Sequence, residues 1–446
     1  MGPHLPRRRF LAAAARAGGA LAAAGLVARP LPAWAQAEPG LVPDLARRFP
    51  DLKRHFVFEY YPWYGGPPLY EHWDYLARRP PLDLSTRYYP RLGPYDVRAR
   101  TVLEQHARWI ADSGVGALAL SWWGRGSFMD EATPLIMDVM RDHDLKVTFA
   151  LEPYADDRGR RFADDVLYLL REHGEKRGFD AFLLPRNQDG REGPVFKGFR
   201  CILPEGGVDC HGVYQPTSDY TPDAVWRQQT DRVRETLRSY FDHVTLLADS
   251  LEFARTPASG FDGIGIYDNY VRPEEYRDYA VGASRAGLLF SFNVNPGYDQ
   301  IEPREIAPDS CYAGPRAVAP PGVEPIDWAR DVERERAAAL SAARIAASLE
   351  ATVEVQTDPG LTNDQRGFFL VYVNSFNEWH EGHQFEPMLD AAALPPELRA
   401  QGYRNAADGA YRLETLRRLL RPLLQPDRKP GPAEPLGATT GRAVLS

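Results

Sequence analysis

The sequence predicts a parallel α/β protein closed into a (β/α)8 TIM barrel that forms a single catalytic domain. Short apolar runs alternate with amphipathic helical stretches, the pattern expected of a parallel sheet covered by helices. Eight such runs occur between the two polar ends of the chain. The first of them leads into Tyr60-Tyr61-Pro62-Trp63-Tyr64 rather than a glycine-rich phosphate turn. That turn would mark the doubly wound open sheet, the next-best reading of the same alternation.

The strand candidates, in order, are residues 56–61, 115–122, 145–151, 195–199, 244–248, 263–267, 287–293 and 368–373. A helix is expected over 97–113, where Val102, His106, Trp109 and Ile110 recur on one stripe and Asp96 is placed to cap the N-terminus. Further helices are expected over 131–143, 164–173, 222–240, 273–286 and 328–349. A barrel of this kind commonly exceeds 250 residues as one unit, so the 446-residue chain needs no second domain.

The two ends read differently. Arg7-Arg8-Arg9-Phe10-Leu11 fits a twin-arginine export pattern, Ala12 to Ala28 is Ala/Gly-rich, and Ala33-Trp34-Ala35 and Ala35-Gln36-Ala37 are small-x-small cleavage sites. Residues 1–37 are therefore expected to be a signal peptide read by the twin-arginine export machinery, which places the mature protein in the periplasm or outside the cell. The apolar stretch contains Arg16 and is too weakly apolar to make a stable membrane span. Residues 38–54 read as a linker, 55–425 as the barrel, and 426–446 as a flexible Pro/Gly-rich tail.

Composition narrows the function. The net charge is −8 and no basic stripe is present, which excludes nucleic acid as an expected partner. Nine Trp and 22 Tyr suit a carbohydrate partner, because an aromatic face packs on the C–H face of a sugar ring, although large aromatics fill cores as well. Cys201, Cys210 and Cys311 are too few for a disulfide scaffold and wrongly spaced for zinc. Cys201 and Cys210 could pair within one loop, or the thiols could be free.

In a barrel, the chemistry sits where strands end at their C-terminal edge. Those ends carry Tyr61, Trp63, Tyr64, His72 and Trp73; then Trp122 and Trp123; then Glu152 and Tyr154; then Tyr267 and Asp268; then Asn293. The eighth runs into Asn374-Ser375-Phe376-Asn377-Glu378-Trp379-His380-Glu381-Gly382-His383. Stacking rings, amides and acids at one rim are what a polysaccharide or oligosaccharide cleft needs. Glycosidic cleavage commonly uses one carboxylic acid to protonate the leaving oxygen and a second carboxylate to attack or to activate the attacker. Glu378 and Glu381 are three residues apart, and on a helical turn this spacing brings Cβ atoms to ~5–6 Å, close to the carboxyl separation of retaining enzymes. Two close carboxyls also push their proton affinities apart, so one can hold a proton near neutral pH. Two Glu at this spacing can equally be a solvated surface pair; the apolar strand before them and their neighbours Trp379 and His380 favour a site. His380-Glu381-Gly382-His383 does not follow the His-Glu-x-x-His zinc pattern, so no metal and no cofactor are expected.

With these residues in view, the chain resembles glycoside hydrolase family 99, the endo-α-mannosidase and endo-α-mannanase family. The similarity is collinear over residues 56–420. It runs through Tyr60-Tyr61-Pro62-Trp63-Tyr64-Gly65, His72-Trp73, Tyr89-Pro90-x-Leu92-Gly93-x-Tyr95, Leu120-Ser121-Trp122 and Asp144-Leu145-Lys146-Val147-Thr148-Phe149. It continues through Glu152-Pro153-Tyr154, Gly260-Phe261-Asp262-Gly263-Ile264, Pro296-Gly297-Tyr298 and Ser375-Phe376-Asn377-Glu378-Trp379-His380-Glu381-Gly382. The resemblance implies a retaining, metal-independent endo-acting hydrolase. The glutamate at Glu378 would act as a base on the sugar's own 2-hydroxyl, giving a 1,2-anhydro sugar, and Glu381 would be the general acid and then the base for water. It further implies that Trp122 or Trp123 stacks on sugar and that Glu152 binds sugar hydroxyls. Tyr61, Trp63, His72, Tyr154, Tyr267 and Asn377 complete the expected binding set. The chain departs from the family at Pro194–Cys201, in an inserted-looking segment up to Pro216, at Gly265 where an aromatic is common, and at Trp123-Gly124-Arg125-Gly126.

A non-catalytic glycan-binding or polysaccharide-assembly protein on the same barrel is the alternative from another class. Binding alone would not require both Glu378 and Glu381. A metallohydrolase is the third reading.

Overall fold

A computed structural model describes residues 45–425, except 268–270, 313–318 and 320–322. The expected signal peptide, the first part of the expected linker, Asp268 and the expected tail lie outside the described residues. Eight parallel strands form one sheet: β1 (Phe56–Tyr60), β2 (Ala117–Trp122), β3 (Lys146–Leu151), β4 (Val195–Gly198), β5 (Thr245–Ala248), β6 (Gly263–Gly265), β7 (Leu289–Ser291) and β8 (Val371–Val373). From β1 to β7 each pairs with the next, and β8 pairs with β1, Phe56 opposite Val371. The ring is completed between the chain just past β7 and β8. Val294 bridges Val373, its N–H donating to the Tyr372 carbonyl at 2.9 Å while Asn374 N–H donates back to Val294 at 2.8 Å. The expected (β/α)8 barrel is the observed fold.

The strands are short and apolar on both faces because a parallel strand in a barrel is buried on both. Large side chains of β2 such as Leu118, Leu120 and Trp122 point out into the helix layer, whereas Ala117 and Ala119 point in. Helices fill the crossovers: α1 (Arg100–Ser113), α2 (Phe128–Asp142), α3 (Arg158–Leu169), α4 (Asp223–Leu237), α5 (Tyr276–Arg285), α6 (Asp331–Gln356) and α7 (Tyr411–Leu424). A single short turn of helix, Arg255–Ala258, serves between β5 and β6.

The helix ends follow local chemistry. In α1, Leu103, His106, Ala107, Trp109 and Ile110 are buried, and the helix stops at Gly114, whose φ of 92° is the left-handed cap conformation that glycine accepts without strain. Asp96 is not its N-cap: Ala99 occupies that place, and the Asp96 carboxylate accepts instead from Arg98 N–H at 2.8 Å. Ser127 caps α2 through its side chain, which accepts from Asp130 N–H.

The expected linker ends earlier than residue 54. A helical turn at Leu45–Arg48 and a 3-10 turn at Leu52–His55 close the bottom of the barrel. Leu45, Phe49 and Leu52 are buried, and the Phe49 ring packs against Phe369 at 5.7 Å. The sequence there is polar between apolar anchors, which is why it reads as linker until the partner surface is known. The cysteines are corrected as well. Cys210 is joined to Cys311, 101 residues on, and Cys201 is a buried free thiol that burial pushes up to about 12. Cys210 sits between the two strands of an inserted antiparallel ribbon, Gly206–Val208 with Tyr214–Pro216.

Candidate active site

The loop after β8 carries the acids. Its residues 379–382 form a turn, not a stretch of helix, so turn geometry sets the spacing of Glu378 and Glu381. Gly382 makes the turn possible: its φ is 71°, and a Cβ there would stand 2.3 Å from the Asp299 carbonyl oxygen. Glu378 and Glu381 are 0% and 4% exposed. That burial removes the reading as a solvated surface pair.

Each acid has its own setting. Glu378 N–H donates to Ser375 Oγ at 2.8 Å, and Glu378 Oε1 accepts from His380 N–H at 3.0 Å. Glu381 Oε2 accepts from the Tyr267 hydroxyl and lies 3.0 Å from His383 Nε2. The same Tyr267 oxygen is 3.3 Å from that nitrogen, so phenol, imidazole and carboxyl form a closed triangle. Tyr267 is itself held by its N–H, which donates to Asp249 Oδ1 at 3.0 Å. Burial raises the Asp249 carboxyl, and the Lys197 ammonium works against that rise.

A wall of rings stands on the β1 side. Trp63 stacks on His72 with centroids 4.7 Å apart and planes within 5°. It also packs near Tyr61 at 4.8 Å, His380 at 5.7 Å and Trp123 at 6.3 Å. His380 Nε2 bonds the His72 carbonyl at 2.8 Å. Asn377 clips this wall to the loop: its side-chain oxygen accepts from Tyr61 N–H at 2.7 Å, and its amide donates to the Tyr61 carbonyl at 3.0 Å. Glu152, at the end of β3, accepts from Ser121 Oγ at 2.9 Å, and Trp123 Nε1 donates to the same hydroxyl at 3.1 Å. A small cavity lined by Glu59, Tyr61, Ser121, Glu152, Lys197, Phe199 and Tyr267 joins these groups at the floor.

Two expected binding residues face elsewhere. Trp122 is the outward residue of β2: its indole N–H donates to Asp130 at 2.9 Å, under α2, and it is 1% exposed. Burial works against the Asp130 carboxylate, but hydrogen bonds from His173, Trp122, Gly126 N–H and Tyr168 bring it down to about 2. Trp123, one residue on, therefore takes the rim position of the pair. Tyr154 turns its hydroxyl to Asp165 on α3, and its ring packs on Trp122 at 5.4 Å. It belongs to the helix layer because the strand ends at Leu151 and the chain then turns, Tyr154 N–H donating to the Glu152 carbonyl at 2.9 Å, so strand alternation no longer sets its direction.

Several site residues escaped the sequence. Glu59 on β1 and Lys197 on β4 form a buried ion pair at the floor. Their signal was legible: a charged residue in an otherwise apolar strand at the inward parity. Behind the acid loop, Glu386 accepts from Tyr95 hydroxyl at 2.8 Å and Trp379 Nε1 at 2.9 Å and pairs with His106 at 3.2 Å. Burial, with Glu386 nearby, pushes the Tyr60 and Tyr95 phenols well above their usual range, so both remain neutral donors. A second, wider hollow opens at the opposite end, lined by Gln188, His243, Thr245 and Asp364 where strands begin, the face a barrel uses for stability.

Buried acids, a ring wall and a polar floor at the C-terminal mouth of a barrel define a carbohydrate-active hydrolase. The comparisons agree. A family model described as glycosyl hydrolase family 99 matches residues 51–184. A glycoprotein endo-alpha-1,2-mannosidase-like protein of Danio rerio is 26% identical over 379 residues, covering 77% of this chain and 72% of that one. A glycoprotein endo-alpha-1,2-mannosidase of Mus musculus is 26% identical over 362 residues, covering 73% of this chain and 66% of that one. The structure of a GH99 endo-alpha-mannosidase from Bacteroides thetaiotaomicron superposes with a TM-score of 0.55 at 20% identity, covering 82% of this chain and 96% of that chain. The matched model and these relatives support placing the chain in glycoside hydrolase family 99, as a glycoside hydrolase.

Among the described residues no helix is long and apolar enough to cross a membrane. Among the described residues, the group that could hold a metal ion is Cys210 and His211 of the ribbon with Cys311 of the chain after β7, and its two thiols are spent in the disulfide.

Proposed function

We propose that this chain is an exported, retaining, endo-acting α-glycosidase that cuts a mannose-containing polysaccharide. In this reading Glu378 takes the proton from the 2-hydroxyl of the bound sugar. That oxygen attacks the anomeric carbon while Glu381 protonates the departing glycosidic oxygen, and a 1,2-anhydro sugar results. Glu381, now a carboxylate, takes a proton from water; the water oxygen opens the anhydro ring, and the 2-oxygen recovers its proton from Glu378. Two displacements leave the anomeric configuration as it began.

The observation that carries the reading is the burial of both acids in separate polar settings, 0% and 4% exposed. A barrel that only bound glycan would gain nothing from two desolvated carboxyls on one turn, because burying them is costly. Tyr267 and His383 converge on one oxygen of Glu381, which sets the rotation of the carboxyl that must deliver a proton. Trp63, Trp123 and Tyr61 supply ring faces for sugar, and Glu152 supplies an acceptor for its hydroxyls.

Export is supported by Arg7-Arg8-Arg9-Phe10-Leu11 and by the Cys210–Cys311 disulfide, since such bonds persist in oxidising compartments. The experiment is incubation of the purified protein with α-mannans and other polysaccharides, with products read by mass and their anomeric form by NMR. Release of oligosaccharides with retained configuration is expected. Inversion, or release of single sugars only, would overturn the mechanism or the endo action respectively.

A further inference from the structure

Inward side chains of a (β/α)8 barrel are ordinarily branched aliphatics. Here one interior layer is an ion pair. Glu59 on β1 and Lys197 on β4 are 3% and 1% exposed, and the Lys197 ammonium donates to Glu59 Oε1. They reach each other because the strands between them present only Ala119 and Ala150 at this level. The ammonium also stands over the Tyr372 ring at 4.7 Å and near the Tyr267 ring at 5.6 Å. Gly265 on β6 completes the arrangement. A Cβ there would already lie 3.4 Å from Lys197 Cδ and 3.4 Å from Leu247 Cβ, so an aromatic at 265 and the lysine could not share the space.

Stability does not account for this pair. Replacing a buried ion pair by apolar groups of similar volume is often neutral or favourable. The second oxygen of Glu59, Oε2, is buried with no hydrogen-bond partner among the described residues. Buried acceptors in native proteins are satisfied, by protein, water or ligand. Glu59 lines the small floor cavity together with Ser121, Glu152 and Tyr267, a polar lining of the kind that holds a hydroxyl or a water. Two carboxyls face that cavity against one ammonium, so the group it accepts is a hydrogen-bond donor.

We propose that Glu59 and Lys197 read a sugar hydroxyl: Lys197 fixes one oxygen of the Glu59 carboxylate, and the other, with Glu152 across the cavity, accepts hydrogen bonds from a hydroxyl of the sugar bound above. Lys197 is a positioning residue here and Glu59 a specificity residue. The inference rests on the reading of this rim as the cleft of an α-mannoside hydrolase. A sugar lacking that hydroxyl would leave the Glu59 oxygen unpaired, which is how sites reject analogues lacking a polar group.

Two measurements test it. The first needs no substrate: a crystal structure fine enough to place waters should show one within about 2.7–3.2 Å of Glu59 Oε2 that also contacts Glu152. A dry cavity, or a water that joins Glu59 only to Tyr372, overturns the proposal. The second uses an α-linked mannose disaccharide fluoride and its monodeoxy analogues, the 2-deoxy form excepted because that hydroxyl reacts. The wild type should lose at least ~10-fold in kcat/KM on one analogue. The double variant Glu59→Leu with Lys197→Met, which orphans neither charge, should fold with an unchanged or higher Tm and lose that discrimination. A folded double variant that still discriminates like the wild type overturns the proposal. If the wild type cuts no mannoside, the substrate reading fails while the water measurement still decides the floor.

Discussion

The lower and upper halves of the barrel interior come from the same strands, two residues apart. In the lower half Val57, Ala117, Val195, Leu289 and Leu370 pack as one apolar cluster. Two positions further along three of those strands stand Glu59, Lys197 and Ser291, with Ser121, Glu152 and Tyr267 above. Because side chains alternate across a strand, each strand contributes one residue to a plug and the next inward residue to a floor. If the plug holds the barrel closed and the floor meets the substrate as proposed, substitutions in the two layers should separate stability from activity.

The largest effect is expected at the rim. Glu381→Gln should lower kcat/KM on an ordinary glycoside by ~10²–10⁴-fold, the usual worth of acid–base assistance, while the first step with a glycosyl fluoride is partly spared. Glu378→Gln should fail on both substrates. Circular dichroism should show both variants folded. Near-normal turnover by folded Glu378→Gln would assign the base to another carboxylate, such as Glu152 at the floor.

The plug should behave in the opposite way. Leu370 is 0% exposed inside the barrel, and Leu370→Ala should cost about 2–5 kcal/mol in urea unfolding. Its kcat at a temperature where the variant is folded should change by less than ~3-fold, since the loss is in packing. A large fall in kcat with normal stability would mean that the two layers are not separable.

A third effect belongs to the closed end alone. His55 is buried below β1 with its Nδ1 bonded to the Phe369 carbonyl at 2.7 Å, and burial lowers it from 6.5 to about 4. Between those values the unfolded chain binds a proton that the folded chain refuses. This contribution to stability is therefore complete above the unfolded value and is lost as the pH falls toward the folded one, about 3 kcal/mol over the whole window. Unfolding free energies at pH 7 and 4.5 should show it, and His55→Gln should flatten that dependence. An equal slope in the variant would remove His55 as its source.

The smallest expected effect sharpens the rim itself. Tyr267→Phe deletes the hydroxyl that donates to Glu381 and should cost about 10- to 100-fold in kcat. Because that donor stabilises the carboxylate form, its loss lets the acid keep its proton to higher pH. The descending limb of the pH–rate profile should move upward. An unmoved limb would assign the phenol a packing role.

Much of this was written in the chain. All eight strand cores fall within the runs marked by apolar patterning, because a strand buried on both faces must be apolar along its length. The acid loop was legible because Glu378 and Glu381 follow directly on such a strand. Strand parity was also there to be used: β2 alternates small inward Ala117, Ala119 and Ser121 with large outward Leu118, Leu120 and Trp122, which sends Trp122 to the helix layer and leaves the rim to Trp123.

What the chain by itself determined is therefore local: the alternation of strand and helix, the order of the strands, and which residues stand at their ends. Periodicity and the strand-end rule act over a few residues, so they can be read without the rest of the molecule. The tertiary structure decided what depends on pairs far apart. Glu59 meets Lys197 across 138 residues, Tyr267 meets Glu381 across 114, and Cys210 finds Cys311 across 101 rather than Cys201 nearby. Closure of the barrel sets those distances, and no local propensity reports it.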